Sequence, residues 1–289
     1  MTASYKEIHY QSGDGLNLYA RDYANARAPL AVLCLHGLTR NSADFAELCR
    51  RLHPRYRLIV PDQRGRGRSA YDPEASHYHP GIYVEDMQIL LRHLGLQRVA
   101  VVGTSMGGIM AMMMAARQPQ QVRAIVLNDI GPEVDPAGLA RIKAYVDNAR
   151  VFDDWEAAAD YAASINGIAF PDYGRADWLR FARNLCIADA GGRPRLAYDD
   201  RISRPINDSD DNAVPPDLWP LFDACAAIPT LLIRGEFSDI LSRDCVAAMR
   251  RRKADLQVVE VPGRGHAPML DEPAAFNAIA KRLQSAEPA

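Results

Sequence analysis

Four consecutive apolar residues, Val99 to Val102, run directly into Gly103-Thr104-Ser105-Met106-Gly107, and a helical pattern, GIMAMMMAA, starts at Gly108. A buried strand, a sharp turn and a helix in immediate succession leave few possible folds, and the turn sets a serine at its apex. The glycines have a steric reason, because neighbours carrying a Cβ would collide across so tight a bend. A serine held there is expected in a strained backbone conformation. The helix that follows turns its N-terminal N–H groups and positive dipole end toward the serine, which favours negative charge on a bound carbonyl oxygen. Met112, Met113 and Met114 read as core fillers on that helix rather than as a binding surface.

The rest of the chain repeats the same texture. AVLCL at 31–35, LIV at 58–60, IVL at 125–127, TLLI at 230–233 and VVEV at 258–261 are short aliphatic runs. Strands buried on both faces of a parallel sheet have this composition. Helical spacing intervenes, as in Val84, Met87, Leu90, Leu91 and Leu94. Strand–helix alternation predicts a doubly wound α/β sheet. Near the start, Ile8–Gln11 and Leu16–Arg21 flank Ser-Gly-Asp-Gly and predict an antiparallel hairpin. After Gly131-Pro132 the texture changes to Ala- and Asp-rich helical stretches carrying Trp155, Trp178 and Trp219. Residues 1–130 and 227–289 are therefore expected to form the core domain, and 131–226 a helical cap over one end of its sheet. The three tryptophans are the expected substrate contacts.

Composition excludes several functions. With 34 basic and 36 acidic residues the net charge is −2, which gives no footprint for nucleic acid and no polybasic membrane patch. Five scattered cysteines, never in a CxxC pair, argue against a disulfide framework and a zinc site. His77 and His79 form an H-x-H pair without further ligands at metal spacing, and Asp208–Asp211 lacks the glycine and closing glutamate of a calcium loop. No metal and no cofactor are expected. Neither a signal peptide nor a membrane span is evident, so the expected location is the cytoplasm. The oligomeric state is left open.

His266, in Gly265-His266-Ala267-Pro268 after the last strand-like run, is the expected general base. An acid must fix its tautomer and stabilise the imidazolium. Asp239, in the loop after TLLI, is the first candidate. Asp129, directly after IVL, and Glu236, in the same loop as Asp239, are rivals. His36-Gly37-Leu38-Thr39, after AVLCL, predicts a tight loop with its backbone toward the serine. The backbone N–H groups of Leu38 and Met106 are the expected oxyanion donors, and His36 is expected to hold the loop by its ring nitrogens.

Taken together, LHG at 35–37, PDQRGRGRS at 61–69, GTSMGG at 103–108, RGEFSD at 234–239 and GRGHAPMLDEP at 263–273 resemble the α/β-hydrolase superfamily over nearly the whole chain. That resemblance implies an α/β-hydrolase fold, a mostly parallel eight-stranded sheet with helices on both faces and a lid after the sixth strand. It also implies the chain order Ser, acid, His, which Ser105, Asp239 and His266 obey, and a mainly structural role for Arg64–Ser69. The expected reaction is hydrolysis of a small-molecule carboxylic ester or lactone through an acyl-enzyme. Ser105 sets the chain apart from relatives that open epoxides or carbon–halogen bonds with an aspartate. Carbon–carbon hydrolases of ring-cleavage products often carry Asn where Thr104 stands, and a longer glycine-rich loop where HGLT stands. They form one alternative, and a ligand receptor with little turnover is another.

Overall fold

The computed structural model describes residues 4–146, 150–204 and 217–288. The acidic run Asp208–Asp211 lies outside them. The chain opens with the antiparallel pair β1 (Lys6–Gln11) and β2 (Asn17–Tyr23), each longer than the hairpin expected from sequence. Then come β3 (Ala31–Leu35), α1 (Ala46–Leu52), β4 (Arg57–Asp62), α2 (Pro80–His93), β5 (Val99–Thr104), α3 (Met106–Arg117) and β6 (Val122–Asn128). The insert carries α4 (Pro136–Val146), α5 (Trp155–Asn166), α6 (Arg175–Leu185), β7 (Cys186–Ala188), β8 (Pro194–Leu196) and α7 (Trp219–Asp223). Strand β9 (Thr230–Gly235), α8 (Arg243–Arg252), β10 (Gln257–Val261) and α9 (Pro273–Ser285) complete the chain.

Eight strands make one sheet in the order β1-β2-β4-β3-β5-β6-β9-β10. Strand β2 meets both neighbours antiparallel, and from β4 to β10 every pairing is parallel. Side chains alternate across the sheet. Val32, Cys34, Val60, Val102, Val126 and Ile233 enter a core with Leu48 of α1 and Ile279 of α9. Leu33, Leu35, Ile59, Val101, Leu127 and Leu232 enter the other, with Leu91 of α2 and Met110 of α3. Helices thus cover both faces, which is why the central strands read as unbroken apolar runs and not as alternating ones. The short β7–β8 pair was not expected. Its strands have three residues each and carry no β-branched run to betray them.

Local chemistry fixes the helix ends. His79 accepts a hydrogen bond from Gly81 N–H through Nδ1 and so caps α2, with Pro80 in the first turn. Asp154 and Ser242 cap α5 and α8 in the same way. His77 instead stands 3.1 Å from Asp72, which shares the buried guanidinium of Arg64 with Asp14 and Asp86. No helix among the described residues is long and apolar enough to cross a membrane.

Candidate active site

All the parallel strands point their C-terminal ends to one side, the place where open α/β sheets bind ligands. The loops after β3, β5 and β6 meet there. Ser105 follows β5 with φ 51° and ψ −117°, the strained apex expected from its neighbours. A Cβ on Gly103 would lie 2.2 Å from the carbonyl oxygen of Gly107, and one on Gly107 would lie 2.1 Å from that of Leu35. Both obstacles are backbone, so neither can swing aside. Gly107→Ala is therefore expected to destabilise the protein by about 3 kcal/mol or more, lowering Tm by about 6–12 °C. A calorimetric melt within 2 °C of wild type would contradict this packing.

His266 brings its Nε2 to 2.9 Å from Ser105 Oγ. Its Nδ1 lies 2.9 Å from a carboxylate oxygen, Asp129 Oδ2. A carboxylate only accepts, so Nδ1 carries the proton and Nε2 is left free to accept from the serine hydroxyl. The loop bearing His266 is held from two sides. Asn128 donates through Nδ2 to Pro268 O and to Thr104 Oγ1, and Gly265 N–H donates to Ala169 O in the insert.

The acid is where the sequence reading and the structure part, although Asp129 and Asp239 both lie between Ser105 and His266 in the chain. Asp129, fully buried at φ 56°, accepts from Gly235 N–H (2.8 Å) and Ser238 Oγ (2.6 Å) as well as from His266. Asp239 is turned away to Arg141 of α4, with Nε and Nη2 at 2.5 and 3.0 Å from its two oxygens. Burial alone would raise the pKa of Asp239, but the Arg141 guanidinium outweighs it and the net shift is downward. The expectation that Asp239 orients His266 is corrected by this geometry. The cause is Arg141, nearly a hundred residues away in sequence (separation 98), which takes the Asp239 carboxylate while Ser238 supplies only its hydroxyl to Asp129. The signal for Asp129 was its place immediately after a buried strand. Asp also tolerates the left-handed backbone better than most residues.

The loop after β3 is built to keep its backbone still. His36, fully buried, donates from Nδ1 to Gly37 O (2.7 Å) and accepts from Gln63 N–H at Nε2 (3.0 Å). Burial first, then the charges of Arg66 and Arg40, push its pKa down to about 3, so it stays neutral. Arg66, which family resemblance assigned to a structural loop, reaches Leu38 O with Nε at 2.9 Å and bonds Tyr83 Oη at 2.8 Å. It thereby holds the Leu38–Thr39 peptide, while His36, on Gly37 O, holds the peptide that carries the Leu38 N–H. Met106 begins α3, so its N–H must find an acceptor outside the helix.

A cavity of about 90 Å³ opens at Ser105. Leu38, Thr39 and Arg40 form one wall, and the insert contributes Ile142, Tyr145, Ile165, Asn166, Phe170 and Phe181. None of the three tryptophans lines it, which corrects the expected substrate contacts. Trp178 packs edge-on behind Phe170 and Phe181, Trp155 stacks on Arg183, and Trp219 bonds Glu133 and lies under Arg252. Smaller rings of the insert reach the site, and composition alone did not separate them from the bulkier ones behind.

Residues 31–273 match the family model described as the alpha/beta hydrolase fold. The chain belongs to the α/β-hydrolase family. Among its α/β-hydrolase relatives, a 3-hydroxybutyrate-oligomer hydrolase of Cupriavidus necator is 34% identical over 88% of each chain. A 2-(acetamidomethylene)succinate hydrolase of Mesorhizobium japonicum is 32% identical over 81% of each. A solved α/β-hydrolase structure from Novosphingobium aromaticivorans superposes with TM-score 0.92 at 41% identity, covering 98% of this chain and 99% of that one.

Proposed function

We propose that this hydrolase cleaves a carboxylic ester through an acyl-enzyme on Ser105. The observation that carries the proposal is the continuous relay from Ser105 Oγ through His266 to Asp129, both links at 2.9 Å. His266 Nε2 takes the hydroxyl proton as Oγ adds to the ester carbonyl, and Asp129 stabilises the imidazolium so formed. The oxyanion rests on the N–H groups of Leu38 and Met106. His266 then returns the proton to the departing alkoxide, activates water, and the acid leaves. The segment 131–226 acts as a cap whose Ile142, Phe170 and Phe181 exclude bulk water from these steps. An ester is favoured over other hydrolysable bonds by the relative that acts on 3-hydroxybutyrate oligomers, since hydroxy-acid units are joined by ester bonds.

The test is stoichiometric labelling by an alkyl fluorophosphonate alongside assays on nitrophenyl esters from acetate to octanoate. One phosphonyl group per chain, found on Ser105 by peptide mass, should extinguish ester turnover in proportion to labelling. Turnover that persists in fully labelled protein would exclude Ser105, and failure to cleave any of the esters would exclude the reaction.

A further inference from the structure

A second, larger opening adjoins the first. It has a volume of about 620 Å³, within the usual range for small-ligand sites, and lies between β2 and α1 on one side and α6 on the other. The two spaces share Asp44, Phe181 and Met269 as lining residues. At this throat Arg40 grips Asp44 through Nε and Nη2 (2.7 and 2.5 Å) and lays its guanidinium 4.1 Å from the Phe181 ring centre. The chamber at Ser105 suits a short acyl group. Whatever that group is esterified to has the cleft as its room.

The cleft contains one cation that stands out. Arg50 is paired with Glu47, and Arg180 with Asp177. Arg21 of β2 lines the cleft with no carboxylate within ion-pair distance among the described residues; its guanidinium rests over the Tyr5 ring and beside the Tyr23 hydroxyl. A guanidinium that lacks a carboxylate partner is matched best by one, through charge-assisted hydrogen bonds to its fork of N–H groups. Formal charge does not decide the matter, because Asp271 also borders the cleft; the place of Arg21 on its wall, without a carboxylate partner, does.

Resting on the ester-hydrolase proposal above, we infer that the substrate is an extended ester ending in a carboxylate. Its short acyl part occupies the chamber at Ser105, and its alcohol part runs past Arg40 and Phe181 into the cleft, where Arg21 binds the terminal carboxylate. A short oligoester of a hydroxy acid has this form: the carboxylate sits on the alcohol side of every internal ester bond. Hydrolysis adds one water across the bond at Ser105, releasing the short acid and leaving the shortened carboxylate chain.

The experiment compares the linear trimer of 3-hydroxybutyrate with its methyl ester, read by chromatography of the products. Wild type should favour the free acid by about tenfold or more in kcat/KM, chiefly through KM, the size of effect expected for a charge-assisted hydrogen bond. In Arg21→Gln that ratio should fall to near one, and Arg21→Lys should restore part of it. A merely structural role for Arg21 would lower both rates together and leave the ratio standing, which would overturn the inference. So would a ratio near one in wild type, a result that needs no variant to fold. If nitrophenyl esters are cleaved and the ratio is flat, only this inference fails; if no ester is cleaved, the ester proposal itself fails.

Discussion

Asp129→Asn is expected to lower kcat by about 10⁴-fold while leaving the fold intact, the loss that follows when the acid of such a relay becomes an amide. The carboxylate of Asp129 accepts three hydrogen bonds, from His266 Nδ1, Gly235 N–H and Ser238 Oγ. An amide nitrogen in place of Oδ2 would present a donor to His266, reverse the tautomer and put the ring proton on Nε2, where it opposes the serine hydroxyl. Asp239→Asn is the paired measurement. Asp239 is partly exposed and bound to Arg141, so its loss should cost about 1 kcal/mol of stability at most and less than about tenfold in kcat. Steady-state rates on one nitrophenyl ester decide between them. A 10⁴-fold loss at Asp239 with mild effects at Asp129 would reverse the assignment.

That contrast also marks how far the sequence could be read. The sheet was legible because its central strands are buried on both faces: AVLCL, VAVV and TLLI had no other place to go. Ser105 was legible because its glycine neighbours answer to local sterics, as the backbone contacts at Gly103 and Gly107 bear out. His266 was placed by its loop. The acid was harder. Both Asp129 and Asp239 follow strands that end at the same edge, and β6 and β9 are adjacent in the sheet, so either could face the histidine. Chain order admits both, since each lies between Ser105 and His266, and the family-like segment RGEFSD favoured Asp239. What turned it away is an ion pair to α4, and no local pattern announces a partner 98 residues distant. The cavity wall failed for a similar reason. Which aromatic residue of a helix faces a site depends on how that helix docks, and Trp178 and Phe181, three positions apart on α6, differ in just that respect. Arg66 was visible as a motif residue, but its hold on Leu38 O appears only once β3 and β4 are side by side.

The largest effect should come from Ser105→Ala, about 10⁶-fold in kcat. Stability should hold or rise slightly, because alanine fits beside Gly37 and the lost hydroxyl bond to His266 is a single link in a site kept strained for function. The informative measurement is the double variant Ser105→Ala, Asp129→Asn. If Asp129 acts only through His266 on the Ser105 proton, then once that proton is gone its carboxylate has nothing left to assist, and the double variant should be no slower than Ser105→Ala alone. Independent contributions would instead multiply, to about 10¹⁰-fold, and the residual rate would vanish. A double variant slower than Ser105→Ala by tenfold or more would mean that Asp129 serves the reaction by another route, such as activating water directly. Equality within twofold would establish Ser105, His266 and Asp129 as one unit and leave the remaining rate to the Leu38 and Met106 N–H groups and to binding.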